Sequence, residues 1–374
     1  MNSDWIDAKS ACALLGVKPQ TLYAYVSRHR IRTQADPADT RTSLYARQDI
    51  EALRAHARRP RARGEVAQAA IRWGDPILPT AISEVRDGTV WLRGRQIEVC
   101  AQTMTLEEVA AWLCRGTPGD CPNPLTTVMG ETPFARAMVA LADAAAGADP
   151  MLGRAAKDIA GETGGMLARV ADACLRRKGS GPIHRRVAAA WALSPEAEDA
   201  VRQALVLLSD HELNPSTFAV RVCAATGASL PAALLAGMAT LSGPRHGGVA
   251  AQTLRVINAR MQGGHTVLSR LEPYGCGFGH PLYPQGDPRA TYLLGLLPKA
   301  SAYRQAIEGL AEEFGQPPNV DAGLVALGLH FGFPDDAAGS IFAMGRTAGW
   351  IAHAIEQVQS GAVIRPRARF QPDG

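Results

Sequence analysis

Two stretches frame this chain: Ser209-Asp210-His211-Glu212-Leu213-Asn214-Pro215-Ser216-Thr217 and Gly243-Pro244-Arg245-His246-Gly247-Gly248. Each sets a histidine among residues that shape the backbone. The run between them, residues 218–241, is rich in Ala, Leu, Val and Thr and reads as one buried helix. Pro244 stops a helix, because it has no N–H to donate and biases the residue before it away from helical angles. Gly247 and Gly248 then leave His246 with few steric neighbours, and apolar periodicity resumes at Val249. This places His246 in a tight turn at the start of the next helix, beside backbone N–H groups and the positive end of a helix dipole. Such surroundings disfavour the imidazolium, and a neutral imidazole can donate to a developing oxyanion. The alternative is a plain turn that happens to contain a histidine.

Working outward, 374 residues suffice for one large domain and a second small one. At 47% hydrophobic and 20% charged, the composition is that of a soluble globular protein. No apolar run approaches the roughly 18–20 residues of a membrane span. The start, Met-Asn-Ser-Asp-Trp, lacks the basic-then-apolar order of a secretory signal. Seven scattered cysteines (Cys12, Cys100, Cys114, Cys121, Cys174, Cys223, Cys276) include no Cys-x-x-Cys spacing, which argues against a disulfide framework and a zinc site. The expectation is a cytoplasmic protein with reduced thiols and no membrane partner.

The net charge of +4 is unevenly placed: residues 1–63 hold 12 Lys+Arg against 6 Asp+Glu, and the remainder is close to neutral. That asymmetry points to a polyanion partner at the N-terminal end. Residues 4–33 read as two short helices, 7–15 and 21–28, separated at Gly16 and Val17-Lys18. Ala11, Leu14, Leu22 and Val26 supply a small core. Gln20, Tyr23, Ser27, Arg28 and Arg30 lie on the other side of the second helix, where they suit phosphates and base edges. Residues 34–43 read as a hairpin or wing, and another helix starts about Tyr45 and Asp49-Ile50. The pattern Ala11-x-x-Leu14-Leu15-Gly16-Val17-x-x-x-Thr21-Leu22-Tyr23, with Tyr45 and Asp49-Ile50-x-x-Leu53, resembles the winged helix-turn-helix of the MerR and excisionase type. The resemblance implies DNA contact through residues 4–55; a docking or dimerisation appendage is the alternative. The domain reading is helix-turn-helix over 1–56, a basic linker over 57–74, and a further domain over 75–374.

In that domain, residues 80–99 alternate as a few short strands about the turn Arg86-Asp87-Gly88-Thr89. Thr105 and Glu108 fit a capping box at the start of an amphipathic helix. Beyond it run Ala- and Leu-rich helical patterns with short breaks. No alternation of strands with helices appears, so the fold class is mainly α. Gly275-Cys276-Gly277-Phe278-Gly279-His280 lacks the leading strand of a dinucleotide fingerprint, and prolines follow it. It reads instead as an irregular loop that places His280 in a cleft, with Arg289 opening the helix after Pro288. Pro317-Pro318 keeps the approach to Asp321 extended; Asp321 then opens an apolar helix, as an N-cap or as a carboxylate base. Arg346 and His353 share a face of a mostly apolar helix. No carboxylate lies on its first two turns, which leaves Arg346 for an anionic ligand or for snorkelling to the surface.

Together these stretches closely resemble the citrate synthase family over about residues 75–370. The matching positions are Asp210-His211-Glu212-x-Asn214-x-Ser216-Thr217, Gly243-Pro244-x-His246-Gly247-Gly248, Gly277-Phe278-Gly279-His280, Asp287-Pro288-Arg289, Pro318-Asn319-Val320-Asp321 and Gly345-Arg346-Thr347-x-Gly349-Trp350-Ile351-Ala352-His353. Trp91-Leu92-Arg93-Gly94 and Thr105-Leu106-Glu107-Glu108-Val109 fit the family's opening segment. The resemblance implies condensation of acetyl-CoA or propionyl-CoA with oxaloacetate, giving citrate or 2-methylcitrate, with no cofactor. By position, Asp321 takes the acyl proton, His246 donates to the thioester oxygen and His280 protonates the oxaloacetate carbonyl. His211, Arg289, Arg346 and Arg365 hold the carboxylates, Arg365 reaching the partner subunit's site. It implies a helical homodimer whose smaller domain, about 248–331, closes over the substrates.

The chain departs from the family pattern at Pro281 and Pro284, where basic residues that contact CoA phosphates are usual. His-Pro also resembles citryl-CoA lyases, which run the cleavage direction. The N-terminal basic segment is foreign to ordinary members. A DNA-binding regulator that senses CoA esters or dicarboxylates through this domain is the reading from another class.

Overall fold

The computed structural model describes residues 5–15, 17, 21–23, 26, 31–36, 39, 42–51, 78–116, 129–263, 276–366 and 370. The chain divides into two compact units: residues 1–79 with 367–374, and residues 80–366.

In the first unit, strands β1 (Trp5–Ile6), β2 (Thr33–Ala35) and β3 (Ser43–Ala46) form an antiparallel sheet in the order β1-β3-β2. Thr33 pairs with Tyr45 and Ala35 with Ser43, so the segment read as a hairpin or wing is a hairpin in its described part. Helix α1 (Ala8–Leu15) starts where Asp7 accepts from the Ser10 N–H at 2.7 Å. Ile6, Ala11, Leu22, Ile31, Tyr45 and Ile50 form the core. Trp5–Ile6 corrects the reading of residues 4–33 as helices alone: Ile6 is buried and pairs with Tyr45. Residues 21–23 and 26 are helical. Gln20, Ser27, Arg28, Arg30 and the linker over 57–74 lie outside the described residues.

The second unit opens with a meander, β4 (Ser83–Arg86), β5 (Thr89–Leu92) and β6 (Arg95–Gln96). Asp87 and Gly88 both take positive φ in the two-residue turn, as the tight hairpin requires. Helices follow: α2 (Ile97–Thr103), α3 (Leu106–Cys114), α4 (Pro133–Ala146), α5 (Ala156–Ala160), α6 (Thr163–Leu175), α7 (Ile183–Trp191), α8 (Pro195–Leu207), α9 (Pro215–Ala224), α10 (Leu230–Leu241), α11 (Val249–Met261), α12 (Pro288–Gly295), α13 (Ala302–Phe314), α14 (Val320–Phe331) and α15 (Ala337–Gln359). The capping box at α3 is present, Thr105 N donating to Glu108 Oε2 at 2.7 Å. Residues 218–241 are two helices rather than one. Gly227 at φ +81 breaks the run, and the second helix starts after Ser229.

Helix α15 is the axis of this unit. Its residues are buried almost from end to end, and α3, α6, α9 and α10 pack around it. Gly345 and Gly349 bring it against the backbone of residues 205–210. A Cβ on Gly345 would lie 2.8 Å from Leu205 O; one on Gly349 would lie 2.5 Å from Ser209 O and overlap Asp210 Oδ1. The approach is sealed by a hydrogen bond from Gly349 N to Ser209 O at 2.8 Å. It also brings His353 Nε2 to 3.2 Å from Asp210 Oδ2, with both side chains fully buried. Gly349→Ala is expected to lower stability by about 1–3 kcal/mol or more, the cost of overpacking a closed core. Urea unfolding of the variant checks this, and an unchanged midpoint contradicts it.

Candidate active site

Helix caps fix two of the segments that carry the candidate side chains. Asn214 caps α9: its Oδ1 accepts from Thr217 N at 3.1 Å and its Nδ2 donates to His211 O at 3.1 Å. Pro215 takes the first helical position, where a missing N–H costs nothing. Glu212, at φ 49, turns the chain in the left-handed region. It is held there by Val85 N donating to its Oε1 at 2.9 Å. His211 is thereby left buried, with Nε2 2.7 Å from the Tyr283 hydroxyl.

The loop before α12 is stitched to the loop before α14. Gly279 N donates to Pro317 O at 2.7 Å, Asn319 N to Gly277 O at 2.9 Å, and Asn319 Nδ2 to Gly279 O at 3.1 Å. Gly277 sits at φ +86 over Thr253, where a Cβ would clash. Asp287 completes the joint. It accepts from Arg289 Nε and Nη2 at 3.0 and 2.7 Å and from Val320 N at 3.1 Å. Asn319 caps α14, its Oδ1 accepting from Asp321 N at 3.0 Å. Asp321 is therefore not the N-cap. It is the second residue of the helix, 8% exposed, and its Oδ1 is buried without a hydrogen-bond partner among the described residues.

The arrangement brings together six of the seven residues singled out in the sequence. His211 and His280 stand edge to face with ring centroids 5.5 Å apart, and Tyr283 lies 4.9 Å from His280. The Arg289 guanidinium is 5.7 Å from the Tyr283 ring. Arg346 lies 5.0 Å from the Phe342 ring, whose other neighbour is His246 at 6.1 Å. Arg346 is buried, so the snorkelling alternative fails. Its Nε donates to Leu208 O at 2.8 Å, and its two terminal nitrogens make no hydrogen bond among the described residues. Arg365 is not in the cluster; it is exposed on the segment after α15.

Burial and the two guanidinium groups set the protonation states. Burial, then Arg289 and Arg346, hold His211 well below the ordinary histidine value. His246 is lowered to about 3 by burial and Arg346, and His280 to about 4 by burial and Arg289. All three imidazoles are neutral at pH 7. His280 Nδ1 accepts from Leu282 N at 3.2 Å, so its proton resides on Nε2. Ser216 Oγ lies 2.9 Å from His246 Nε2 and 2.7 Å from Asn214 Oδ1. Its one proton cannot serve both: turned to Asn214 it leaves Nε2–H on His246, and turned to His246 it leaves Nδ1–H. Burial raises Asp321 to about 7, against the opposing pull of Arg289. Burial lowers Arg346 to about 10, with Asp210 opposing. For Arg289 the charge and hydrogen bonds of Asp287 outweigh burial and keep it above its ordinary value.

A buried carboxylate poised near neutrality, beside neutral imidazoles and two guanidinium groups, suits removal of a carbon-bound proton next to a polyanionic ligand. Residues 167–367 match the family model described as citrate synthase, C-terminal domain. The chain belongs to the citrate synthase family. Similar members are citrate synthase 2 of Bacillus subtilis, 34% identical over 197 residues (47% of this chain, 52% of the relative), and citrate synthase of Haloferax volcanii, 37% identical over 184 residues (45% and 48%). A 2-methylcitrate synthase of Corynebacterium glutamicum is 28% identical over 184 residues (45% and 48%). The chain spans about half the length of these curated relatives. The fold matches that of citrate synthase from Thermoplasma acidophilum, solved in ternary complex with carboxymethyl coenzyme A and oxaloacetate. That likeness has a TM-score of 0.66 and 22% identity, covering 80% of this chain and 94% of the other.

Ser216, Asn214 and Asp287 stand within the quoted stretches without a role, and Tyr283 lies outside them. The Asn-Pro-x-Thr pattern was readable as a helix cap. The Tyr283–His211 contact joins residues far apart in sequence, and nothing local announces it.

Asp321 also shapes stability. Its folded pKa of about 7 exceeds the unfolded carboxylate value, so the folded state binds more protons between about pH 4 and 7. Stability from this group therefore falls as pH rises through that window. Asp321→Asn is expected to be more stable than the parent at pH 8, by on the order of 3 kcal/mol, and nearly equal to it at pH 4. Denaturant unfolding at both pH values checks this, and a difference of the same size at each contradicts it.

Proposed function

We propose that the chain condenses an acyl-CoA, acetyl-CoA or propionyl-CoA, with oxaloacetate to give citrate or 2-methylcitrate and CoA. The buried, unpaired Asp321 Oδ1, in the field of the buried Arg289 and Arg346 guanidinium groups, carries this reading. The carboxylate takes a proton from the carbon next to the thioester. His246, with its proton on Nδ1 and Nε2 turned to Ser216, donates to the thioester oxygen and stabilises the enol. The enol carbon attacks the keto carbon of oxaloacetate, whose oxygen takes the His280 Nε2 proton. Water then cleaves the citryl thioester and CoA leaves as the thiol. Arg346 and Arg289 match carboxylates with forked donors, and His211 adds a third contact. Arg365 of the partner subunit completes the site in a homodimer, and residues 248–331 close over the substrates to keep water from the enol. No cofactor enters this scheme. Pro281 and Pro284 remove the basic residues usual there, so other cations hold the CoA phosphates.

Asp321→Asn is expected to lower kcat by about 10²–10⁴ while oxaloacetate still binds in calorimetry. Near-normal turnover overturns the assignment. In the parent, kcat/KM is expected to fall as pH drops below about 7, where Asp321 gains its proton. A profile flat down to pH 5 contradicts a carboxylate base at this position.

For the N-terminal unit we infer a winged helix-turn-helix that contacts DNA. The excess of cations in residues 1–63 and the Thr33–Ala35 to Ser43–Ala46 hairpin support it. Arg28→Glu with Arg30→Glu in the full chain is expected to weaken duplex binding and flatten its salt dependence, read by fluorescence anisotropy. An unchanged salt slope contradicts it.

A further inference from the structure

A second cationic site lies outside the histidine cluster. Helix α6 ends at Leu175, Arg176 caps it at φ 53, and the connection to α7 runs Arg177-Lys178-Gly179-Ser180-Gly181-Pro182. Residues 176–186 contain five Lys and Arg and no Asp or Glu. Arg177, Lys178, Gly179, Ser180, Arg185 and Arg186 line a pocket of about 170 Å³.

Arg186 forms the floor. It is 6% exposed and pairs with Asp172 through Nη2, which also donates to Ala168 O at 3.4 Å. Its Nε and Nη1 are buried and make no hydrogen bond among the described residues. Gly179 lies close over it; a Cβ there would stand 3.0 Å from Nε. Around this floor Arg177, Lys178 and Arg185 are exposed. Arg177 is anchored by Nη1 donating to Ala189 O at 3.1 Å. Arg185 approaches Glu198 only to 3.9 Å at the surface, a pairing of little strength. Asp172 compensates Arg186, so the rim presents about three cations to one small volume. Loops carrying this much like charge repel themselves unless an anion joins them.

We propose that this pocket binds the phosphate groups of a small polyanion. Guanidinium forks and an ammonium point charge both suit phosphate oxygens, and Ser180 adds a hydroxyl donor. A single carboxylate would satisfy one guanidinium and leave the rest. The volume is below the roughly 300–1,000 Å³ that encloses a whole drug-sized ligand. A diphosphate fits inside it, and the remainder of a nucleotide would stay in solvent.

The test is calorimetric titration of the full chain with pyrophosphate at fixed ionic strength, for the parent and a Lys178→Ala/Arg185→Ala variant. Both side chains are exposed, so the variant keeps its fold, and an unshifted thermal midpoint verifies this. One site is expected, weakened about tenfold or more in the variant. Equal affinity in parent and variant overturns the proposal, since the anion then sits elsewhere. ATP weakened in parallel assigns the site to a nucleotide's phosphate chain; ATP failing to bind where pyrophosphate does assigns it to the free anion. Citrate bound as tightly as pyrophosphate, and lost in the same variant, overturns the preference for phosphate.

Discussion

The close approach of helix α15 to the backbone of residues 205–210 is the constraint on which the rest depends. Two glycines one turn apart allow it. At the contact Arg346 donates to Leu208 O and His353 meets Asp210, so the helix delivers a guanidinium to the site and a buried histidine–aspartate contact behind it. Any side chain at position 345 or 349 would hold the helix off the segment that carries His211. The guanidinium would then lose its bond to Leu208 O. Charge burial of this kind is costly.

A second constraint joins the loops that carry His280, Arg289 and Asp321. Asp287 and Asn319 are both helix caps, and each also bonds across to the other loop. Capping and cross-linking by the same side chains fix His280, Arg289 and Asp321 relative to one another. The electrostatic result follows from the two guanidinium groups. Together with burial they keep the imidazoles neutral, and they restrain a carboxylate that burial alone would push up further. Preorganised donors of this sort stabilise a developing oxyanion without reorganisation at the moment of reaction.

Much of this was legible in the chain. The histidines stood out because Gly and Pro bracket them, and Arg346 because an apolar helix offered it no partner. Asp321 was recognisable as a helix opener, yet its exact place in the cap was not: Asn319 two residues earlier does the capping, and only the fold shows which carboxylate oxygen stays unpaired. The break at Gly227 was missed because the flanking apolar residues continue a helical period through it. Trp5–Ile6 was missed because a two-residue strand has no periodicity; its partner at Tyr45 is long-range. Tyr283 and Ser216 acquire roles only when loops distant in sequence meet. The Arg177–Arg186 pocket was likewise invisible until α6 and α7 folded back on each other.

The central claim is that this site makes an enol from an acyl-CoA and commits it to oxaloacetate. Thiol release from acetyl-CoA and propionyl-CoA, followed on purified protein with and without oxaloacetate, addresses it directly. Release that depends on oxaloacetate is the predicted result, and the ratio of the two kcat/KM values selects citrate or 2-methylcitrate. No release from either thioester, in protein that still binds oxaloacetate, would contradict the account and turn the same domain into a sensor of its ligands.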